Sequence, residues 1–266
     1  MNDVITYSPA IQDYLNPQKK SEKEIEFNYN GFKMICQATQ ENIRRYLVGQ
    51  MTKAYGENNI IANDSYIFCD GNCDILLVCH MDTVHKSLPD KIICDKENGM
   101  IYAPNGIGGD DRCGIYAALA VLKYSNVKPS ILFTTDEEIG CVGSKKAAKD
   151  LLTHSKGFKY LLEMDRHGDK EVVFYETTNR EFINYIVSFG FVEKNGASSD
   201  IRHLSEKWGM ASANVSIGYF NEHTKQEYVE SKYLIDTIKK VITMVESAKD
   251  THYWPMKAST KSNLTK

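Results

Sequence analysis

Ile75-Leu76-Leu77-Val78-Cys79-His80-Met81-Asp82 is a run of five apolar residues closed by an imidazole, with a carboxylate two positions further on. A short continuous apolar run reads as a strand buried on both faces. A polar, ligand-type side chain at its end belongs at the carboxyl edge of an α/β sheet, where such sheets assemble their sites. Reading outward, the same arrangement recurs. Glu138 follows Ile131-Leu132-Phe133-Thr134-Thr135, Asp165 follows Leu161-Leu162, and His223 comes after Val215-Ser216-Ile217. Asp110 opens a Gly-flanked segment between the first two. Metal-type side chains therefore follow one another as His, Asp, Glu, Asp, His.

Helical spacing fills the intervals. Ile43, Tyr46, Leu47 and Met51 recur on one face between Gln40 and Tyr55, and Gly56 is placed to stop that helix. Further helices are predicted over 114–123, 144–152, 180–188 and 232–246. Strands are predicted at 60–61 and 66–68, joined by the turn Asn63-Asp64-Ser65, and at 75–79, 131–135, 160–162, 172–175 and 214–217. Such alternation predicts an α/β fold, a mostly parallel mixed sheet flanked by helices in three αβα layers. No repeat or Pro/Gly/Ser-rich linker divides the chain, so residues 1–266 are expected to form a single domain. Residues 1 to about 35, with the charged run Lys19 to Glu26, carry no functional signal, and 257–266 form a polar tail.

Composition narrows the function classes. The chain has 266 residues, 42% apolar and 25% charged, with a net charge of -3. Signs are interspersed and no basic stripe is present, so nucleic acid is not an expected partner. The longest clean apolar stretch, Ile115 to Leu122, is far short of the roughly 20 residues needed to span a membrane. No basic region precedes an apolar stretch at the start, so no secretory signal is expected and the reading is cytoplasmic. Seven cysteines, an odd number often set within apolar runs, predict free thiols rather than disulfides. Cys69 and Cys73 flank a turn, but no second Cys or His pair accompanies them as a zinc site would require.

Each chemistry-bearing segment has a plain alternative. His80-Met81-Asp82 is either a metal-binding imidazole oriented by a carboxylate or a surface His beside an acid. In Gly106-Ile107-Gly108-Gly109-Asp110-Asp111-Arg112-Cys113-Gly114, helix capping accounts for one carboxylate but not for two among so many glycines. Asp136-Glu137-Glu138 is either a solvated acidic loop or one Glu on metal with its neighbour facing substrate. Their conjunction in one ordered series favours the site. Oxygen and imidazole donors suit zinc first, with manganese or cobalt as alternatives. Two His and three carboxylates exceed the needs of one tetrahedral ion. Two divalent ions roughly 3.5–4 Å apart, sharing a carboxylate, fit the count.

The series resembles the zinc exopeptidase superfamily with co-catalytic metals, which includes peptidase T, related aminopeptidases and carboxypeptidases, and some amidohydrolases. The matching motifs are His80-Met81-Asp82-Thr83, Gly109-Asp110-Asp111-Arg112-Cys113-Gly114, Asp136-Glu137-Glu138-Ile139-Gly140, Met164-Asp165, and His223-Thr224 with Glu227-Tyr228-Val229, over residues 40–245. The resemblance implies that His80 and Asp165 bind one metal and Glu138 and His223 the other. Asp110 bridges them, chosen over Asp111 by its spacing to Gly114. It further implies Glu137 as general base, Asp82 as the group orienting His80, and a cis Asp110–Asp111 peptide. Ala197-Ser198-Ser199-Asp200-Ile201-Arg202 resembles an active-site-lining segment, the alternative being a turn with an N-cap Ser. Arg166, His167, Arg202 and His203 are candidates for contact with a substrate carboxylate or carbonyl, against a reading as solvated loop charges.

The chain also departs from that pattern. Only 33 residues separate Asp165 from Ser199, and only 29 separate His80 from Asp110. Neither interval accommodates the additional domain that branches of the superfamily insert there. The expected protein is a bare catalytic domain that hydrolyses short peptides, most simply as an aminopeptidase. The competing expectations are a deacylase of N-acyl amino acids or other small amides, and a metal-free binding module of the same fold.

Overall fold

The computed structural model describes residues 24–257. Of the charged run Lys19 to Glu26, the part before residue 24 lies outside the described residues, as does the tail from 258 onward.

Among the described residues twelve strands form two sheets. In the larger sheet β1 (Ile60–Ala62), β2 (Tyr66–Cys69), β3 (Ile75–His80), β6 (Ser130–Thr134), β7 (Tyr160–Arg166), β8 (Glu171–Val173), β9 (Val192–Glu193) and β10 (Ser212–Ser216) are ordered β1-β2-β6-β3-β7-β10-β8-β9. The central pairs β6/β3, β3/β7 and β7/β10 are parallel, whereas β1/β2, β2/β6 and β10/β8 are antiparallel. The expected mixed, centrally parallel α/β sheet is therefore present. The smaller sheet, ordered β11-β12-β5-β4, joins β4 (Ile93–Asp95), β5 (Met100–Tyr102), β11 (Tyr219–Phe220) and β12 (Tyr228–Glu230).

Side-chain alternation divides the apolar interior between the two faces of the large sheet. Ile75, Leu77 and Cys79 of β3, Ile131 and Phe133 of β6, and Tyr160 and Leu162 of β7 point into one cluster. Leu76, Val78, Leu132 and Leu161 point into the other. A strand flanked on both faces must be apolar at every position, hence its continuous runs. The first face is covered by α1 (Tyr29–Cys36), α2 (Gln40–Tyr55), α3 (Gly109–Tyr124), α5 (Arg180–Val187) and α7 (Ser231–Glu246), the second by α4 (Val142–Asp150) and α6 (Asp200–Trp208).

Helix ends follow local chemistry. Thr39 caps α2 by accepting from Asn42 N, and Gly56, at φ 83°, ends it. The Asn179 side chain accepts from Glu181 N and Phe182 N to start α5. All seven cysteines are free, and Cys69 and Cys73 are buried as small apolar groups. Among the described residues no helix is long and apolar enough to cross a membrane.

Candidate metal centre

β3, β6 and β7 run parallel, so the residues that end them emerge at one edge. His80 is the last residue of β3, Asp165 is the penultimate residue of β7, and Glu138 lies in the turn after β6. Asp110 comes from the start of α3, where the Asp110–Asp111 peptide is cis and both residues depart from helical dihedrals. His223 stands at φ 61° in the turn between β11 and β12.

These five side chains meet. His80 Nε2 lies 3.0 Å from Asp110 Oδ1 and 3.6 Å from Asp165 Oδ1. His223 Nε2 lies 3.2 Å from both Asp110 Oδ2 and Glu138 Oε2. Each triad has its donor atoms within 4.8 Å of one another, and Asp110 belongs to both. One Asp110 oxygen thus faces each triad, the arrangement a bridging carboxylate requires. Glu138 Oε1 is buried with no hydrogen-bond partner. A carboxylate oxygen so placed lacks the donor that buried acceptors ordinarily have, and a cation would satisfy it. The imidazole and carboxylate set fits a pair of zinc-like divalent ions.

Neighbouring side chains hold these five in place. Asp82 accepts from His80 Nδ1 at 3.2 Å and from the backbone N–H groups of Glu137 and Glu138, each at 3.0 Å, which ties the end of β3 to the acidic turn. With Nδ1 facing Asp82, Nε2 is the nitrogen turned toward the other ligands. Asp111, a member of neither triad, accepts from Gly114 N at 2.8 Å and His80 N at 3.2 Å. Any Cβ at Gly114 would lie 2.3 Å from Asp111 Oδ2 and 2.6 Å from Met164 O, so glycine is needed for close approach. Gly106, at φ 91°, leaves room for the His85 ring, which a Cβ would meet at 2.2 Å. Asp165 is fixed by a reciprocal pair with Asn214, through its N–H to Oδ1 at 3.0 Å and its C=O from Nδ2 at 2.9 Å, and Tyr219 OH donates to its Oδ1 at 3.2 Å.

The electrostatics are those of acids crowded out of water. Burial lifts the Glu138 carboxyl to about 7, with Asp110 adding to the effect. The hydrogen bond to Asp110 raises His223 to about 9 against the opposing pull of burial. Burial alone would lower His80, but Asp165, Asp110 and Asp82 outweigh it and hold the imidazole well above its usual range. Glu137 is also pushed up by burial, with His80 opposing and Asp200 and Asp110 reinforcing the shift. Its carboxylate groups with Cys141 and Asp200 beside the two triads.

The candidate substrate contacts fall into two groups. Ser199 stands at the N-cap of α6 but makes no cap hydrogen bond. Its hydroxyl instead donates to Glu163 Oε2 at 2.6 Å and lies 3.3 Å from Asp165 Oδ2. Asp200 is fully buried and accepts from the Thr134 hydroxyl. Arg202 pairs with Glu206 and Glu176, Arg166 pairs with Glu171, and His167 lies between Glu222 and Glu171. These last three side chains are already engaged by acids in this structure. His203 is half-buried on α6, where burial lowers its imidazole below the usual value.

Two supporting acids went unassigned in the sequence. Glu227, 1% exposed, accepts from Gly108 N at 2.8 Å and Asp110 N at 3.0 Å and pairs with His85 Nε2 at 2.7 Å. Glu163 accepts from Ser199 Oγ and Ile201 N, and burial, with Asp165 and Asp200 nearby, pushes its carboxyl well up. The only local signal for either was an acid amid apolar residues, Leu161-Leu162-Glu163-Met164 and Glu227-Tyr228-Val229.

A helix-flanked sheet that gathers two triads of metal-type side chains at its carboxyl edge, together with the family match that follows, defines the class, a metal-dependent peptidase. The sequence matches peptidase family M20/M25/M40 over residues 76–253, and the chain belongs to that family. No curated protein matches it significantly. Among solved structures, a tripeptidase from Staphylococcus aureus subsp. aureus Mu50 superposes with a TM-score of 0.66 at 14% identity, over 84% of this chain and 98% of that one. The aminopeptidase PepT from Bacillus cereus ATCC 10987 gives 0.60 at 15% identity, over 83% and 97%. A putative zinc-dependent exopeptidase from Bacteroides vulgatus ATCC 8482 gives 0.52 at 14% identity, over 85% and 99%. These likenesses show the shared α/β fold.

Proposed function

We propose that this protein is a co-catalytic, two-zinc exopeptidase that removes amino-terminal residues from short peptides, built as a single catalytic domain without a lid. The observation that carries the reading is the division of Asp110, with Oδ1 toward His80 and Oδ2 toward His223. His80 and Asp165 would hold one ion, Glu138 and His223 the other, and Asp110 both. Ions bound there supply Lewis acidity, polarising the scissile carbonyl and acidifying a water.

The chain's own residues do the rest. Asp82 sets the His80 ring and the backbone of the acidic turn, so both sides of the centre are positioned by one carboxylate. Glu137 takes the proton of the attacking water and delivers it to the leaving amine. A carboxyl raised by burial is a stronger base toward the proton of that water. The Ser199 hydroxyl braces Asp165, Asp200 stands beside Glu137 and Cys141, and Ser199, Asp200, Arg166, His167 and Arg202 are the candidate contacts for substrate. The free thiols and the lack of a membrane-spanning helix among the described residues support a reducing, cytoplasmic setting.

Glu137→Gln should retain both metals and lower turnover by orders of magnitude. Near-normal hydrolysis by that variant would remove Glu137 from the role. A panel of aminoacyl amides, tripeptides and N-acyl amino acids tests the substrate class, and preference for a blocked amino terminus would replace aminopeptidase with deacylase.

A further inference from the structure

A third group of metal-type donors lies beside the two triads and belongs to neither. Glu137, Cys141 and Asp200 each present one donor atom, and the three atoms lie within 4.8 Å of one another. One turn supplies the first two, closed by Cys141 N donating to Glu137 O at 2.8 Å, with Cys141 Sγ 3.5 Å from Glu137 Oε1. Asp200 arrives from the first position of α6. Cys141 is 5% and Asp200 0% exposed, so of the three only Glu137 reaches toward solvent.

The Asp200 carboxylate is half satisfied. The Thr134 hydroxyl donates to Oδ2 and the Ser144 hydroxyl, which donates to Cys141 O, also lies against the carboxylate, while buried Oδ1 has no hydrogen bond of good geometry. A fully buried carboxylate oxygen without a good hydrogen bond calls for a ligand in a native site. A thiol with two carboxylates is a mixed sulfur and oxygen set suited to zinc or cobalt rather than magnesium or calcium. Three protein donors leave a fourth tetrahedral position for water.

We propose that Glu137, Cys141 and Asp200 form a third, inhibitory divalent-cation site that takes zinc or cobalt(II). On binding, the Cys141 thiol gives its proton to solvent, the sulfur–metal bond forms, and neither sulfur nor metal changes oxidation state. Occupancy engages the Glu137 carboxylate and removes it from proton transfer, so metal beyond the first pair lowers activity. The inhibitory consequence rests on the reading of Glu137 as general base, whereas the binding site itself does not.

The test is cobalt(II) titration of the metal-stripped full chain, followed by near-ultraviolet absorption and by peptide hydrolysis. The first two equivalents, bound by nitrogen and oxygen, give no thiolate-to-cobalt band. Further cobalt is expected to produce that band as turnover falls roughly tenfold or more. Cys141→Ser should abolish the band, and Asp200→Asn should shift it to roughly tenfold higher cobalt. Thermal melts establish that each variant is folded, and Cys141→Ala serves if the serine variant is not. Absence of the band in folded wild type at large excess, or its persistence in Cys141→Ser, overturns the site. Failure of the paired centre looks different, because the first two equivalents would be lost while the thiolate band remained.

Discussion

Glu227 Oε1 accepts the backbone N–H of Asp110 at 3.0 Å, although the two residues are 117 positions apart. Its other oxygen takes Gly108 N and faces His85 Nε2. One buried carboxylate from β12's approach thus holds the loop that presents the shared Asp110.

Glu227→Ala strands both N–H groups in the interior, at a cost of about 1–3 kcal/mol each. Urea denaturation of the metal-free protein should show a loss of that order, with weaker zinc retention. A loss under about 0.5 kcal/mol, the range of an ordinary surface change, would mean that the loop is held by other contacts.

Asp82→Ala removes the acceptor shared by His80 Nδ1 and the Glu137 and Glu138 amides. Loss of such an orienting carboxylate typically lowers metal affinity about 10- to 100-fold. Chelator competition should find that weakening at both ions, because Asp82 sets a ligand of each. A change confined to one ion would restrict Asp82 to the His80 side.

Gly114→Ala inverts an ordinary rule. A helical glycine replaced by alanine usually gains up to about 1 kcal/mol. Here the new methyl meets the Asp111 carboxylate at 2.3 Å and Met164 O at 2.6 Å. Overpacking of this kind costs about 1–3 kcal/mol, so chemical denaturation should show destabilisation. Unchanged or improved stability would mean that the α3 start relaxes freely.

The metal-free protein should lose stability as pH rises from about 5 to about 9. Glu138, raised to about 7, binds its proton more tightly folded than unfolded, so its contribution disappears between the ordinary carboxylate value and 7. His223, raised to about 9, contributes fully below its unfolded value of 6.5 and loses that contribution as pH passes through 9. Melting temperature across this window provides the check. Saturating zinc should reverse the trend, because the ligands must be deprotonated to bind. A metal-free melting temperature that climbs from pH 5 to 9 would contradict both shifts.

Strands such as Ile75–His80 and Ser130–Thr134 were legible because burial on both faces leaves a continuous apolar run. The helix Gln40–Tyr55 was legible from its spacing and its glycine stop. The strands Ile93–Asp95 and Met100–Tyr102 were not, since three residues are too few to display a period. Tyr29–Cys36 was hidden in a segment without a long repeat, and Asp200–Trp208 read as a turn with solvated charges because only Ile201, Leu204 and Trp208 are apolar among its charged residues.

By itself, the order of residues determined the α/β alternation and marked out five side chains of metal-ligand type. Apolar periodicity and ligand chemistry are local properties written within a few neighbouring residues. Tertiary structure alone decided that Asp110 shares its two oxygens, that Asp111 turns inward to His80 N and Gly114 N, and that Glu227 and Asn214 anchor their respective loops. Apart from the local Asp111–Gly114 contact, those relationships join residues from 30 to 117 positions apart. A hydrogen bond at that separation leaves no mark on the sequence around either partner, because its geometry exists only once the sheet has brought the chain together.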